Sequence, residues 1–476
     1  MRICHTALIA AQTNGYPVGG YQPAIRCIFT PTGTATAGTA TYDYSFNPTV
    51  LTNRLIQAEQ RESIGDDGGT LIISNYDKSV PDNLTGYYVD LGWGLNTASS
   101  VMWDAGTANA VAPRMWVMQQ SEISGGAKNS QPQLYKVYEL GGVWSAVLNQ
   151  QPVRIGYAPY YQDETGTLAN QTVYTCISLL ITALNSQTGM SFTLDALGTQ
   201  DDGLISTIIP FPIVTAGSFV VNTQYNILTT GTTDYTLIGG VLTTAGAFIV
   251  SKRYIILTVG TTDFTLIGAT SNNIDVIFYA TGVGAGTGTA YEVPFIASGV
   301  GAGTGTAMSS LRSLNPQTTG QFQTYAQFVQ SLLELTKCVL IARAGLAFKI
   351  VYPQSSDAVQ ETYYSSQASG HPFYENMNRR LNMSPNYVEV FGKEDASISA
   401  KWYDTDHFSG TAYVGNFMPV IKSIWEQSFS STGQCSNRAS AEGLQLKQQL
   451  LGGRVIIPMD ARVELMDRTE MDDSRV

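Results

Sequence analysis

The stretch GTLIISNYDKSVPDNLTGYYVDLGWG, residues 69–94, indicates the fold class of this chain. Two runs rich in β-branched and aromatic residues flank a segment crowded with Asn, Asp, Pro and Gly, which is typical of two strands joined by a turn-rich loop. In the second run Val89, Leu91 and Trp93 alternate with polar or small residues. This period of two predicts a strand with one buried face.

Strand patterns continue on both sides of this stretch. The runs RMWVMQQ (114–120) and QLYKVYELGGVWSAVL (133–148) extend them. The opening, MRICHTALIAAQ, has one basic residue and a short apolar run, so we predict a first strand rather than a signal peptide. Residues 1–150 are therefore predicted to form an N-terminal β domain.

Two later segments show the periodicity of amphipathic helices. Apolar residues recur at helical spacing in 173–184 and again in 322–333. The second segment runs into VLIARAGLAFKIVYP (339–353), in which Gly345 marks a hairpin turn between two short strands. These patterns predict two α+β segments, at 151–214 and 309–360.

One sequence is written twice between the two predicted helices. GTTDYTLIG (231–239) returns as GTTDFTLIG (260–268), and GVGAGTGTA (282–290) returns at 299–307. Each copy is predicted to hold a β-branched strand, a Thr-Thr-Asp turn and a second strand that ends at Gly239 or Gly268. We predict an inserted, duplicated Gly/Thr-rich β module over 215–308, which leans on the body or on a neighbouring subunit.

The glycine-rich runs of this module do not match a phosphate-binding loop. Their spacing does not give G-x-G-x-x-G, and no G-K-[ST] follows. We predict loop or extended β-structure there.

The last segment, 361–476, is predicted to be a β-rich domain with one helix. NYVEVFG (386–392) places Val388 and Val390 on one face of a strand, and SNRASAEGLQLKQQLL (436–451) is predicted to be a helix that ends before two further strands. The whole chain is thus predicted to be mainly β with α+β parts. It would contain several β-barrel or β-sandwich domains, two or three packed helices and the inserted module.

Composition limits the classes of function. A net charge of −11, without a Lys/Arg cluster, argues against sequence-independent binding of nucleic acid. Five scattered cysteines without a C-x-x-C predict buried free thiols in a protein folded in a reducing cytoplasm. No stretch approaches the ~18–20 apolar residues that a membrane-spanning helix needs, which predicts a soluble protein.

The order of segments resembles the tail hub or tail-tip proteins of tailed bacteriophages. Four stretches carry the resemblance: NRLIQAEQRES with the following strand–loop–strand (53–94), RMWVMQQ (114–120), AQFVQSLLELTKCVLIARAGLAFKIVYP (326–353) and VIIPMDARVELMDRTEMDD (455–473). The inserted module departs from that pattern, because such hubs need not carry it.

The resemblance implies a ring-forming adapter in the virion, a homotrimer assembled in the cytoplasm of the host bacterium. Its partners would be other copies of itself, the tail tube and distal tail proteins, the tip or fibre proteins and the tape-measure protein. Genomic DNA would pass through the ring without specific binding, and an acidic wall is compatible with that passage.

The sequence offers no catalytic constellation, and we predict no enzyme activity, cofactor or metal. His371, in SGHPF, is predicted to be a turn residue. His407 lies near Asp404 and Asp406, which could supply metal ligands, although adjacent acids in a loop are more often a solvated surface. A cell-wall hydrolase with carboxylates distant in the chain stays open as an alternative.

A second alternative is a receptor- or carbohydrate-binding tail-tip protein that uses the inserted module. Exposed aromatic side chains would then stack on sugar rings, and the candidates are Tyr225, Tyr235, Tyr254 and Phe264. The competing interpretation is that these rings pack the module's own small core.

Overall fold

The computed structural model describes residues 2, 4–15, 22–32, 41–46, 54–96, 101–104, 111–128, 131–153, 167–198, 202–309, 324–354, 356–365, 371–378, 384–392, 397–414, 418–426, 429, 431–450 and 453–473. Over these residues the chain is mainly β, with several separate sheets and few helices. The predicted fold class is confirmed.

The N-terminal part consists of one helix and an antiparallel sheet. Its elements are α1 (Thr6–Gly15), β1 (Gln22–Thr30), β2 (Tyr42–Phe46), β3 (Leu55–Ser63), β4 (Asp66–Ser74), β5 (Tyr88–Asn96), β6 (Val101–Trp103), β7 (Met115–Lys128) and β8 (Gln131–Gly141). The strand order is β2-β1-β5-β7-β8-β4-β3, with β6 paired to β5. The strands predicted over 69–94 are β4 and β5, and they are not neighbours in the sheet.

Alternating residues of these strands converge on one apolar core. Val89 and Leu91 of β5 pack there with Phe29 of β1, Ile73 of β4 and Tyr138 of β8. The ring centroids of Phe29 and Tyr138 lie 5.2 Å apart. The period-two pattern therefore identified the buried face of this sheet correctly.

The predicted first strand is wrong, because α1 occupies this segment. Cys4, Leu8 and Gln12 are buried at a spacing of four residues, so the apolar side of the segment has helical periodicity. The intervening Ala-rich sequence also favours a helix over a strand.

The strand predicted to continue to residue 148 ends at Gly141, and Val143–Leu148 form a short helix. Asp67 of β4 explains the change. Its carboxylate accepts the backbone N–H groups of Trp144 and Ser145 at 3.0 and 3.2 Å, as a helix N-cap does.

Both amphipathic helices are present, and they pack together at the centre of the main core. The elements here are α2 (Val173–Thr188), β9 (Thr193–Leu194), and, after the module, α3 (Tyr325–Leu333), β18 (Val339–Arg343) and β19 (Ala347–Val351). Strands β18 and β19 form the predicted hairpin, and Gly345 has the positive φ of 68° that such a turn requires. Phe322, predicted to begin the second helix, lies outside the described residues.

The inserted module contains two small sheets. Its strands are β10 (Ile213–Thr215), β11 (Gln224–Thr229), β12 (Leu242–Thr244), β13 (Arg253–Thr258), β14 (Ile277–Tyr279), β15 (Thr289–Glu292), β16 (Phe295–Ile296) and β17 (Thr306–Ser309). The orders are β10-β17-β11-β16, which we name unit A, and β12-β15-β13-β14, which we name unit B.

Unit B is nested inside unit A. The chain builds the first half of unit A, then all of unit B, and then returns to complete unit A. The two units share their strand order and even a bulge, which lies between Ile227 and Thr229 in unit A and between Ile256 and Thr258 in unit B. Each unit therefore contains one copy of GTTDYTLIG or GTTDFTLIG and one copy of GVGAGTGTA, and the two units have the same fold.

The second strand predicted in each copy is wrong. Tyr235–Ile238 and Phe264–Ile267 are short 3₁₀ helices. Asp234 and Asp263 cap them, because each carboxylate accepts the backbone N–H of the threonine two residues later at 3.0 Å. The glycine-rich runs form loops and extended structure, as predicted.

The C-terminal part is also β-rich. Its elements are β20 (Glu361–Tyr364), β21 (His371–Pro372), β22 (Glu375–Asn378), β23 (Tyr387–Gly392), β24 (Ile398–Tyr403), β25 (Phe408–Ser409), β26 (Ala412–Tyr413), β27 (Ile421–Glu426), α4 (Thr432–Leu450), β28 (Gly453–Ile456) and β29 (Thr469–Asp472). Val388 and Val390 of β23 are buried on the side of α4, so the predicted strand face and helix are both confirmed.

Candidate interaction surfaces

The four aromatic residues proposed for sugar stacking are buried. Tyr225 and Tyr235 lie in the core of unit A, and Tyr254 and Phe264 lie in the core of unit B. Phe219 packs on Tyr225 with ring centroids 4.9 Å apart, and the corresponding rings of unit B are separated by the same distance. These rings form the apolar cores of the two units, so the interpretation that they pack the module's own core is correct and the one that exposes them for stacking on sugars is wrong.

The exposed apolar side chains of the module are aliphatic instead. Leu237 and Leu266, at equivalent positions of the two short helices, are each 79% exposed. Val300 and Val283 are exposed at equivalent positions of the glycine-rich loops. Each unit thus presents the same aliphatic side chains to solvent, and such side chains suit contact with protein better than stacking on a sugar ring.

The few charged groups of the module are engaged within it. Lys252 and Glu292 form an ion pair at 3.0 Å. Asp234 and Asp263 cap the short helices, and Asp275 accepts the backbone N–H and the hydroxyl of Thr230 at 2.6 and 2.7 Å. A protein that binds this surface would therefore have to desolvate few unpaired charges, and the desolvation penalty of binding would be small.

His371 is not a turn residue but lies in a buried ionic cluster. Its Nε2–H donates to the carbonyl of Gln12, and Arg462 donates to its Nδ1 at 3.0 Å. Arg462 also bridges Glu361 and Asp460, at 2.8 and 2.7 Å. The cluster ties α1 to the C-terminal segment, and its partners come from distant parts of the chain, so the local sequence gave no signal of it.

The charged groups of this cluster are paired with one another. Burial raises the pKa of Asp460, but the hydrogen bonds and charge of Arg462 outweigh that effect and hold the pKa below its usual value. The adjoining cavity, lined in part by Gln12 and His371, has a volume of about 10 Å³. That space admits about one water molecule and no substrate.

The candidate metal ligands near His407 bind a lysine instead. Lys447 of α4 contacts Asp404 at 2.8 Å and Asp406 at 2.9 Å, and His407 Nδ1 lies 3.2 Å from Asp404. Burial raises the pKa of Asp404, but its bonds to Lys447 and to the backbone of Asp406 lower it overall. Within the described ranges, no group of three or more His, Cys, Asp or Glu side chains is placed to hold a metal ion.

The cysteines are buried and unpaired with one another, as predicted. No disulfide bond joins any two of the five cysteines, which are Cys4, Cys27, Cys176, Cys338 and Cys435. Burial raises the pKa of the Cys4 thiol to about 11, which keeps it protonated and unreactive. Among the residues that the structure describes, no helix is long and apolar enough to cross a membrane.

An exposed face with aromatic side chains on the C-terminal sheet was not predicted from the sequence. Strands β24, β23 and β27 lie side by side, and α4 covers one face of them. The register places three rows of side chains on the opposite face, which we name the β27 face: Trp425, Phe391 and Ser399; Ser423, Glu389 and Lys401; Ile421, Tyr387 and Tyr403.

The β27 face is apolar at both ends and neutral in the middle. Trp425 is 54% exposed and Ile421 is similarly exposed, while the rings of Tyr387 and Tyr403 stack at 4.7 Å. Between them, Glu389 and Lys401 pair at 3.0 Å. An exposed tryptophan on a rigid sheet is typical of a protein-binding surface.

Comparison with known proteins shows no family for this chain. No family model matches the chain, and no curated protein matches it. Among solved structures, a tail protein from Neisseria meningitidis MC58 is 9% identical with a TM-score of 0.42, over 96% of this chain and 87% of that one. A 43 kDa tail protein of prophage MuSo2 from Shewanella oneidensis is 7% identical with a TM-score of 0.41, over 94% and 89%.

Proposed function

We propose that this chain is a structural protein of a phage tail, a ring-forming hub or tail-tip adapter. It joins the tail tube to tip or fibre proteins around the channel through which DNA leaves. The four stretches that resemble such hubs support the proposal, and they fall on defined elements: β3 to β5, the start of β7, α3 with its hairpin, and β28 to β29. The chain acts by fitting against other proteins and not by catalysis.

The β27 face is the observation that carries this proposal. Trp425, Phe391 and Ile421 lie on a sheet that is already fixed from behind by α4, so their positions are set before any partner arrives. Preorganised apolar side chains of this kind lose little entropy on binding. A tail adapter needs such faces, because it contacts copies of itself and several different partners.

The proposed partners are two further copies of the chain, the tail tube and distal tail proteins, the tip or fibre proteins and the tape-measure protein. The protein resides in the virion after assembly in the host cytoplasm. The net charge of −11 suits a ring that DNA passes without being held, because phosphates and acidic side chains repel each other.

The test is the oligomeric state of the full-length protein and of Trp425→Ser, measured by light scattering and negative-stain imaging. We expect rings of three wild-type subunits and a shift of Trp425→Ser towards single subunits or weaker partner binding. Leu444→Ser, which replaces another exposed apolar residue, is the control. A wild-type chain that is monomeric at high concentration and absent from purified virions would refute the adapter role.

A second candidate is recognition of a host receptor by the module. The repeated exposure of Leu237 and Leu266 favours it, and points to a protein receptor rather than a glycan. Replacing both leucines with serine would weaken adsorption of the phage to its host without changing ring assembly. Unchanged adsorption would leave the module with a structural role only.

A further inference from the structure

The two units of the module close their cores in different ways. In unit A, the side next to the short helix Tyr235–Ile238 is covered by the sheet of unit B. Ile255 and Tyr291 of unit B belong to the core of unit A, and Leu257 and Ile277 pack against it. Unit A is therefore completed by a second copy of its own fold.

Unit B closes the equivalent side with a short link. Gly239 and Gly268 follow the two short helices, and Val293 and Val276, at equivalent positions of the repeat, lie just before the return strands β16 and β14. Between these points the chain runs through 240–292 in unit A but only through 269–275 in unit B.

The link 269–275 covers the ring that corresponds to Tyr235. Asn272 accepts the backbone N–H of Phe264 at 2.7 Å and donates to Asp263 at 2.9 Å. Ala269 lies in the core of unit B, and the Phe264 ring is fully buried. The link thus covers the core of unit B on the side where the whole of unit B covers the core of unit A.

We name the side of each sheet that points away from the core of its own unit the outer sheet face. The residues on this face differ between the two units because each outer sheet face packs on a different surface. Met308 and Leu228 of unit A pack into the main core of the body, while the equivalent residues of unit B, Tyr291 and Leu257, pack on unit A. The inner faces keep the same residue types in both units, as Tyr225 and Tyr254 illustrate. The stacking order is body, unit A, unit B.

We propose that the side of each unit next to its short helix is a docking surface for the outer sheet face of a further unit of the same fold. Unit B fills this surface in unit A, and the link 269–275 closes it in unit B. The module is therefore extensible: the link marks the place where a third unit would enter. Each added unit would extend the module by about one sheet-to-sheet spacing, roughly 10 Å. This inference does not depend on a role in a phage tail.

The first test removes unit B from the full-length protein. Residues 240–292 are replaced by ATSNNID, the sequence of the link, so that unit A is closed as unit B is. We expect the amides of β11 to keep their protection from hydrogen exchange to within about tenfold of the wild-type protein. The matched control closes the same gap with GSGSGSG, and we expect it to lose about a hundredfold or more of that protection.

Two results would overturn the proposal. In one, the ATSNNID variant exchanges as fast as the GSGSGSG variant while α2 remains protected, which means that the link cannot close unit A. In the other, both variants keep full protection, which means that unit A needs no closure on this side.

The second test adds a unit, and so does not depend on the first variant folding. The link 269–275 is replaced by a copy of 240–292, followed by the rest of the chain. We expect the added residues to resist limited proteolysis as well as unit B does, and small-angle scattering to show a longer particle. Selective digestion of the added segment from an otherwise intact protein would contradict the inference.

Discussion

Tyr291 of unit B stands edge-on to Tyr235 of unit A, with ring centroids 5.3 Å apart and ring planes at 68°. Both rings are buried, and the pair lies where the two nested units meet. Replacing Tyr291 with Ala removes an aromatic side chain from a packed core, so we expect a loss of about 3–5 kcal/mol in the stability of unit A. Hydrogen exchange at β11 would measure it.

The matched control for that change is Leu266→Ala in the same unit. Leu266 projects into solvent, so its removal is expected to change stability by less than about 0.5 kcal/mol. If Tyr291→Ala were equally silent, the packing between the units would contribute nothing to unit A.

The stability of the N-terminal sheet should depend on the protonation of Asp67. Burial raises the pKa of Asp67 from 3.8 to about 6, although hydrogen bonds from Ser145 and Trp144 oppose the shift. The folded state therefore holds the proton more tightly than the unfolded state does. This contribution is fully present below about pH 4 and is lost as the pH rises through about 6.

Asp67→Asn tests this dependence. The amide oxygen can still accept the backbone N–H groups, but it cannot ionise, so we expect the variant to lack the decline in stability between about pH 4 and pH 6. Asp67→Ala should instead lose about 1 kcal/mol at every pH, because the backbone N–H groups of Trp144 and Ser145 at the start of the short helix lose their acceptor. Urea unfolding across this pH range gives both values, and parallel curves for wild type and Asp67→Asn would contradict the assignment.

Gly231 should not tolerate a side chain. Its φ of 50° lies in the left-handed region, and a Cβ atom there would come within 2.7 Å of the backbone of Thr304 and Gly305. Left-handed backbone costs a residue other than glycine about 1–2 kcal/mol, and the clash adds to it. We expect Gly231→Ala to destabilise unit A by about 2 kcal/mol or more, measured by hydrogen exchange.

Gly198→Ala is the control for this substitution. Nothing lies within 4 Å of a Cβ atom at Gly198, and its backbone is not in the left-handed region. A comparable loss in both variants would show that glycine at 231 is not conformationally required.

Arg462 should be difficult to replace, because it neutralises buried acids. Removing one partner of a buried ion pair leaves an uncompensated charge, at a cost of about 3–5 kcal/mol. We expect Arg462→Met to lose stability on that scale, with partial recovery in the double variant Arg462→Met, Asp460→Asn. Arg61→Met, at an exposed pair with Glu59, should change stability by about 0–1 kcal/mol. Thermal unfolding of the four proteins would compare them.

Local patterns predicted those elements whose signals lie within a few neighbouring residues. The helix α2 follows from the spacing of Val173, Ile177 and Leu180, all of which are buried. The caps at Asp234 and Gly239 were also visible in the sequence, and a helix signal could have been read there in place of a strand.

Long-range pairings could not be predicted in this way. The Thr229 hydroxyl meets that of Thr306, 77 residues along the chain, at 2.8 Å. The sequence shows that both segments are repeated, but a strand does not encode which copy it pairs with. The nesting follows from that choice of partner.

The β27 face escaped prediction for a different reason. Ile421 and Trp425 alternate with Lys422 and Ile424, so neither side of the strand is purely apolar. Only the position of α4 decides which side is covered. For the aromatic residues of the module, ligand stacking and core packing both stayed open, because sequence does not distinguish a ring that binds a ligand from a ring that fills a small core.

Nesting also determines the order in which the chain can fold. The strands of unit B follow one another closely, whereas β11 must wait for β17 until unit B has been synthesised, and α2 meets α3 only after the whole module. The entropy lost on closing a loop grows with the length of the free chain, so each outer pairing becomes less unfavourable once the inner one is compact. We therefore expect folding of this region to proceed from the innermost sheet outwards, and α2, which is synthesised before the module, to be buried only after α3 has followed the module.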